Sequence, residues 1–256
     1  MTAQELMNRL IGEANLGKPT VDTCKHGDPK QEVQKVGVCL TATPDVLRAA
    51  RDWGADLLIT HECTYYDHLD NLRPDPITAK KKELVDSCPF VLWRFHDFIH
   101  LNEGRPDGIH VGFLERLGVE YSYDGSRYAD LAAPTTPREL AKRISERLGI
   151  PHPRIAGDPN LPVTRIALYL GACGSQVDAF SSDDAQLCIA GELCEWREVE
   201  PIRDAAQLGI PKALLLLGHA ASEEPGMALL AEGLQTRFPA LEVRFFPCGE
   251  LVSYAE

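Results

Sequence analysis

The chain has 256 residues, which at ~150 residues per domain leaves room for one large domain or two small ones. Its 38 acidic residues outweigh 26 Lys and Arg, a formal charge of -12 that argues against binding duplex nucleic acid or docking on an anionic membrane. With 44% apolar and 25% charged residues, the composition is that of a globular protein, and an acidic cytoplasmic enzyme is the expectation.

The first residues lack the basic head, apolar stretch and cleavage site of a secretory signal. Helical spacing is read over 2–12, a polar loop over 17–34, a strand over 35–40 and a helix over 44–53 capped by Thr43. The run Asp56–Thr60 suits a buried parallel strand. A helix over 77–87, a strand over 90–95 and a helix ending near Leu117 follow. A second series begins with a capping box, Thr136 and Glu139, predicting a helix to Leu148. Then come a loop over 152–162, a strand over 165–170, a short helix over 175–180 and a strand over 186–190. A helix over 198–208, a strand over 212–217, a helix over 225–238 and a strand over 242–246 complete the chain. The longest apolar run, Ala213–Leu217, is far below the ~18 residues of a membrane span. Eight scattered cysteines without a CxxC pair read as reduced, mostly buried thiols.

Strands alternating with helices predict an α/β fold with largely parallel sheets. The series repeats, so two related units are expected, over 1–125 and 126–256. DLLITHE (Asp56–Glu62) aligns with QLCIAGE (Gln186–Glu192), and Val91–His100 aligns with Leu214–Glu223, which pairs His96 with His219.

Sites in open parallel sheets gather beyond the carboxyl ends of the strands. Three strands here end in metal-capable groups: His61 with Glu62, His96 with His100, and His219 with Glu223. If 219–223 is a helical turn, positions i and i+4 stand about 40° apart on one face. A strand-end histidine taken singly is more often a packed residue, and Glu62 or Glu223 taken singly is as readily a helix cap. Five or six such residues on matching strand ends point to a divalent metal. Adjacent strand residues face opposite sides, so His61 and Glu62 share one cavity only if the strand is distorted there. Cys63 reads as a buried thiol before a ligand, and Glu192, in the place of Glu62, either faces the cavity or caps a helix. Asp183–Asp184 reads as a solvated turn. Gly171–Gly174 is a poor phosphate cradle without a wider motif. Tyr65, Tyr66, Asp67 and His68 either line a pocket or pack a loop.

The stretches ADLLITHE (Ala55–Glu62), His96–Gly118, IAGEL (Ile189–Leu193) and GHAASE (Gly218–Glu223) resemble the Nif-three-like family, also called GTP cyclohydrolase I type 2 homologues. The resemblance runs over nearly the whole chain, without the central insertion of some members. It implies two intertwined α/β repeats with mixed sheets, a metal site between them, two divalent ions (zinc, manganese or iron) and a homohexamer. By the same resemblance the ligands are His61, Glu62 where a second histidine is usual, His100 where an aspartate is usual, His219 and Glu223. Asp97 is the fallback ligand if the register shifts. His96 and Glu192 are the expected proton-handling groups.

A metal-dependent hydrolase acting on a nucleotide or phosphoester-like small molecule is one expectation, with GTP ring opening suggested by the family name alone. A non-catalytic metal-binding or scaffold protein is the alternative.

Overall fold

The computed structural model describes residues 1–13, 16, 19–100, 105–249, 251–252 and 255. Residues 17–18 of the expected loop and 101–104 of the stretch after His96 lie outside them. Two compact units divide the chain: Met1–Gly108 with Met227–Glu256, and Ile109–Gly226.

The first unit opens with α1 (Ala3–Ile11), whose Thr2 and Glu5 form a capping box. The edge strand β1 (Cys24–His26) follows, then β2 (Lys35–Cys39), α2 (Pro44–Trp53), β3 (Leu57–Thr60), α3 (Pro76–Asp86), β4 (Val91–Arg94) and the single turn α4 (Asp97–His100). Val46, Leu47 and Ala50 of α2 pack with Leu58, Leu92 and Phe246. Every residue of β3 and β4 is buried, as expected of parallel strands covered on both faces.

Elements of the second unit begin with α5 (Gly108–Leu117), the hairpin strands β5 (Tyr121–Tyr123) and β6 (Tyr128–Thr135), and α6 (Pro137–Leu148). The capping box of α6 is formed as read from sequence, and Gly149 ends the helix in a left-handed conformation. Next come β7 (Arg154–Gly157), β8 (Val163–Ala172), a 3-10 helix (Gly174–Ser181), β9 (Leu187–Glu192), a π-helical turn (Glu195–Val199), α7 (Glu200–Gln207), β10 (Ala213–Leu216) and α8 (His219–Arg237). The last strand, β11 (Glu242–Phe245), pairs with β2 and so belongs to the first sheet.

Both sheets are mixed, with orders β1-β4-β3-β2-β11 and β5-β6-β8-β9-β10-β7. The central ladders β2-β3-β4 and β8-β9-β10 are parallel, while β1 and β7 each lie antiparallel at an edge. The series α1-β1-β2-β3-β4 is therefore repeated topologically by α6-β7-β8-β9-β10. One side-chain device repeats as well. Asp56 accepts from the backbone of Gln34 and Lys35, and Gln186 accepts from Thr164 and Arg165 at the same places of the other sheet.

The ladders correct one alignment. Phe95 N donates to Thr60 O, and Leu217 N donates to Ala190 O. Thr60 thus matches Ala190, but Phe95 matches Leu217, so Asp97 and not His96 stands opposite His219. The helix expected from Pro225 also begins six residues earlier. Pro225 lies inside α8, not at its start, and His219 opens the helix. Four antiparallel strands, β1, β5, β6 and β7, escaped the apolar-run criterion. Among the described residues no helix is long and apolar enough to cross a membrane. All eight cysteines are free thiols; three are buried, four half-buried and Cys194 exposed.

Thr136→Ala removes one cap acceptor and should cost about 1 kcal/mol. Urea unfolding with an unchanged slope checks this.

Candidate metal centre

In the first unit the site begins where β3 stops. His61 N and Glu62 N both donate to Leu40 O, at 3.0 and 2.9 Å. Two successive amides on one carbonyl break the pleat's alternation. This is the strand-end distortion that the adjacent pair His61–Glu62 requires.

His61 is fully buried, and its Nδ1 lies 3.1 Å from Phe95 O. A carbonyl only accepts, so Nδ1 carries the proton and Nε2 is the basic nitrogen. His96 Nδ1 meets Asp97 Oδ1 at 3.1 Å, and His100 Nδ1 meets Asp107 Oδ2 at 2.9 Å. The His61 ring stacks on His96, with centroids 4.6 Å apart, and stands edge-on to His100 at 5.1 Å. These three histidines offer ligand atoms within 4.8 Å of one another, so they could hold a metal ion. Burial, with the neighbouring imidazoles adding to it, holds His61 well below its ordinary pKa and brings His96 down to about 4. Both rings are therefore neutral at pH 7, the form that binds metal.

Carboxylates hold these rings in place. Asp97 Oδ2 accepts from Thr20 Oγ1 and Val21 N. Asp22 accepts three successive amides, His96 N, Asp97 N and Phe98 N, at 2.7, 2.8 and 3.0 Å, and so anchors the turn that carries His96 and His100. Burial nonetheless raises the Asp22 pKa, because desolvation outweighs those bonds. The loop after Glu62 is strapped by fully buried Arg94, which donates to His61 O and His68 O. Asp70 pairs with Lys25 at 2.9 Å and accepts from Thr64 N and Tyr65 N.

In the second unit, His219 and Glu223 stand one turn apart at the start of α8. His219 Nδ1 is 3.2 Å from Glu192 Oε2, and its Nε2 is 3.2 Å from Glu223 Oε2. Two glycines make room for this turn. Gly171, at φ +67° in a bulge of β8, leaves the space that the Glu223 carboxylate fills. A Cβ on Gly191 would fall 2.6 Å from Ser222 Oγ. Ser222 Oγ accepts from Gly171 N and donates to His219 O, locking the helix start onto β8.

The first unit thus brings together His61, Glu62, His96 and His100, and adds His68, whose ring is edge-on to His96 at 5.4 Å. The second brings together Glu192, His219 and Glu223. Asp97, the fallback ligand, meets His96 Nδ1 through Oδ1. Cys63 is a half-buried thiol raised by burial and by Glu62. Tyr65 is buried with its phenol pushed up to about 12, Tyr66 is exposed, and Asp67 accepts the backbone of Leu69 and Asn71. One expectation is corrected. Asp183 is not a solvated turn residue: it pairs with buried Lys212 at 3.0 Å and accepts from Tyr128, while Asp184 is exposed. The Glu223 carboxylate stands before Gly171, in keeping with the poor phosphate cradle read from the sequence. Sequence reading missed Asp22, Asp107, Arg94 and Asp70.

Asp107→Asn should weaken divalent-metal binding about 10- to 100-fold without abolishing it, as measured by calorimetry. Asp70→Ala leaves Arg94 and Lys25 without their carboxylate and should cost about 3–5 kcal/mol in denaturant unfolding. In chelated protein, His61 and His96 bind protons in the unfolded chain before the folded one. Stability should accordingly fall as pH drops from 6.5 towards about 4, read from unfolding curves across that range.

A family model described as Duf34/NIF3 (NGG1p interacting factor 3) matches residues 22–249. The GTP cyclohydrolase 1 type 2 homolog of Clostridium perfringens (strain 13 / Type A) is 23% identical over 232 residues, covering 88% of this chain and 86% of its own. That of Pyrococcus abyssi (strain GE5 / Orsay) is 24% identical over 219 residues, covering 82% of each. Among solved structures, the protein ybgI, of unknown function, matches with a TM-score of 0.78 at 22% identity, over 98% of this chain and 100% of its own. The Bacillus cereus protein related to NIF3 matches with a TM-score of 0.74 at 12% identity, over 100% and 99%. At these identities the structures support the fold alone, and they share it from end to end. With its model spanning most of the sequence, the chain belongs to the Duf34/NIF3 (NGG1p interacting factor 3) family.

Proposed function

We propose that the chain is a dinuclear, metal-dependent hydrolase of small nucleotide or phosphoester-like molecules, with His61, Glu62, His100, His219 and Glu223 as ligands. The observation that carries the metal reading is the gathering of His61, His96 and His100, whose ligand atoms lie within 4.8 Å of one another and each of which has an oxygen acceptor at Nδ1. Imidazole and carboxylate donors together suit zinc, manganese or iron. Bound ions of this kind supply Lewis acidity, polarising an electrophilic carbon or phosphorus and acidifying water. The chain's own residues supply orientation and proton handling. Arg94 and Asp70 fix the loop that carries His68, and Ser222 fixes the helix start that carries His219. Glu192, 65% exposed and bonded to His219, is placed to exchange a proton with solvent. GTP ring opening is included among the candidate activities by the relatives' names. Assembly into a homohexamer in the cytoplasm belongs to the same proposal and is read by light scattering.

Metal-loaded protein should turn over at least one member of a nucleotide and phosphoester panel, with activity lost on chelation and in His219→Ala. Activity indifferent to both would remove the hydrolase reading. Glu62 and His100, which stand where the family's pattern has histidine and aspartate, favour a second reading, a metal-binding protein without turnover. Metal uptake with a raised melting temperature and no turnover across the panel would select it.

A further inference from the structure

Resting on the nucleotide reading above, we infer that Trp196 is the platform on which the base of a nucleotide stacks, at the edge of the second unit's site. The chain has three tryptophans. Trp93 is buried against Phe95, and Trp53 packs edge-on against Phe246. Trp196 is 76% exposed and, among the described residues, has no ring partner and no hydrogen bond. It lies in the π-helical turn Glu195–Val199, a conformation that recurs at functional sites. The charged side chains of that turn are all engaged: Glu195 with Arg154, Arg197 with Asp178, and Glu198 with Arg197 and Cys194 N. Glu198 is buried and Val199 packs on the core, so the turn is held from beneath. The indole alone is left facing outward from a fixed frame.

The turn follows directly on the site. β9 ends at Glu192, whose carboxylate meets His219 Nδ1, and four residues of chain keep the Trp196 Cα within about 15 Å of Glu192. Glu198 of the turn and Glu223 of the site both act on the thiol of Cys173, just after β8, so the turn lies beside the His219–Glu223 pair. All these residues belong to the second unit. β8, β9 and β10 run parallel, which makes this the carboxyl edge of the sheet, where open α/β sheets bind ligands. Solvent reaches that edge: Glu192 and Cys194 are exposed together with Trp196. An indole offers a nucleobase a flat, rigid π face, and such stacking tolerates any base. Trp196 thereby favours base-bearing substrates over base-free phosphoesters, and it acts on affinity and not on the chemical step.

The test uses the full-length chain supplied with zinc and two probes, AMP and ribose 5-phosphate, which share the phosphate and differ by the base. AMP should quench the tryptophan emission of the wild-type chain, and ribose 5-phosphate should not. By calorimetry, AMP should bind on the order of tenfold more weakly to Trp196→Ala, with part of the loss restored in Trp196→Phe. Ribose 5-phosphate affinity, zinc uptake and the unfolding transition should be the same in all three chains. For any nucleotide the chain hydrolyses, Trp196→Ala should raise KM and leave kcat unchanged. AMP affinity indifferent to Trp196→Ala, an equal loss for ribose 5-phosphate, or no AMP binding at all overturns the inference. So does a Trp196→Ala chain that binds AMP normally and loses self-association in light scattering, since a second copy then covers the indole. AMP binding that depends on Trp196 without turnover of any nucleotide or phosphoester supports the inference and removes the hydrolase reading. Nucleotide turnover with KM indifferent to Trp196→Ala does the reverse.

Discussion

A buried imidazole must satisfy its N–H within the protein, and that requirement organises both clusters. His61, His96 and His100 each have an oxygen acceptor at Nδ1, a backbone carbonyl once and a carboxylate twice, while His219 has a carboxylate at each ring nitrogen, Glu192 and Glu223. The carboxylates also explain much of the polar burial around α4. Asp22, Asp97 and Asp107 hold the backbone or the rings of one short turn.

The two halves show how one topology carries different chemistry. Strand ends in register deliver residues 60–62 and 190–192 to equivalent places, yet one half presents His61–Glu62 and the other Gly191–Glu192. Where the first half has an imidazole, the second has a hydrogen atom, and Ser222 fills the vacated space. The third strand of each ladder is followed at once by a helical start, with Asp97 first in one and His219 first in the other. The repeat therefore preserves the position of the donors and not their identity.

Much of this architecture is written in local pattern, and the rest is not for definable reasons. Central strands such as Leu57–Thr60 and Ala213–Leu216 are buried on both faces and so read as apolar runs. The capping box at Thr136 reads directly. Edge strands do not: β6 alternates irregularly between buried and exposed, and β1 and β7 have no apolar run at all. Pro225 misled because proline favours the first helical turn, whereas α8 tolerates it farther in. The pairing of His96 with His219 failed by one residue, which only hydrogen-bond register detects. Among site residues, the ligand-type side chains at strand ends were legible. Asp22, Asp70 and Asp107 were not, because their partners lie in other elements or across a loop.

Asp107 bears on His100 in the same way. An imidazole at that position brings a ring N–H that must be satisfied in a half-buried place, and the Asp107 carboxylate accepts it and sets a negative charge one hydrogen bond away from the ring cluster. The turn that carries His100 is thus held at its backbone by Asp22 and at its last ring by Asp107, two carboxylates from opposite sides in sequence.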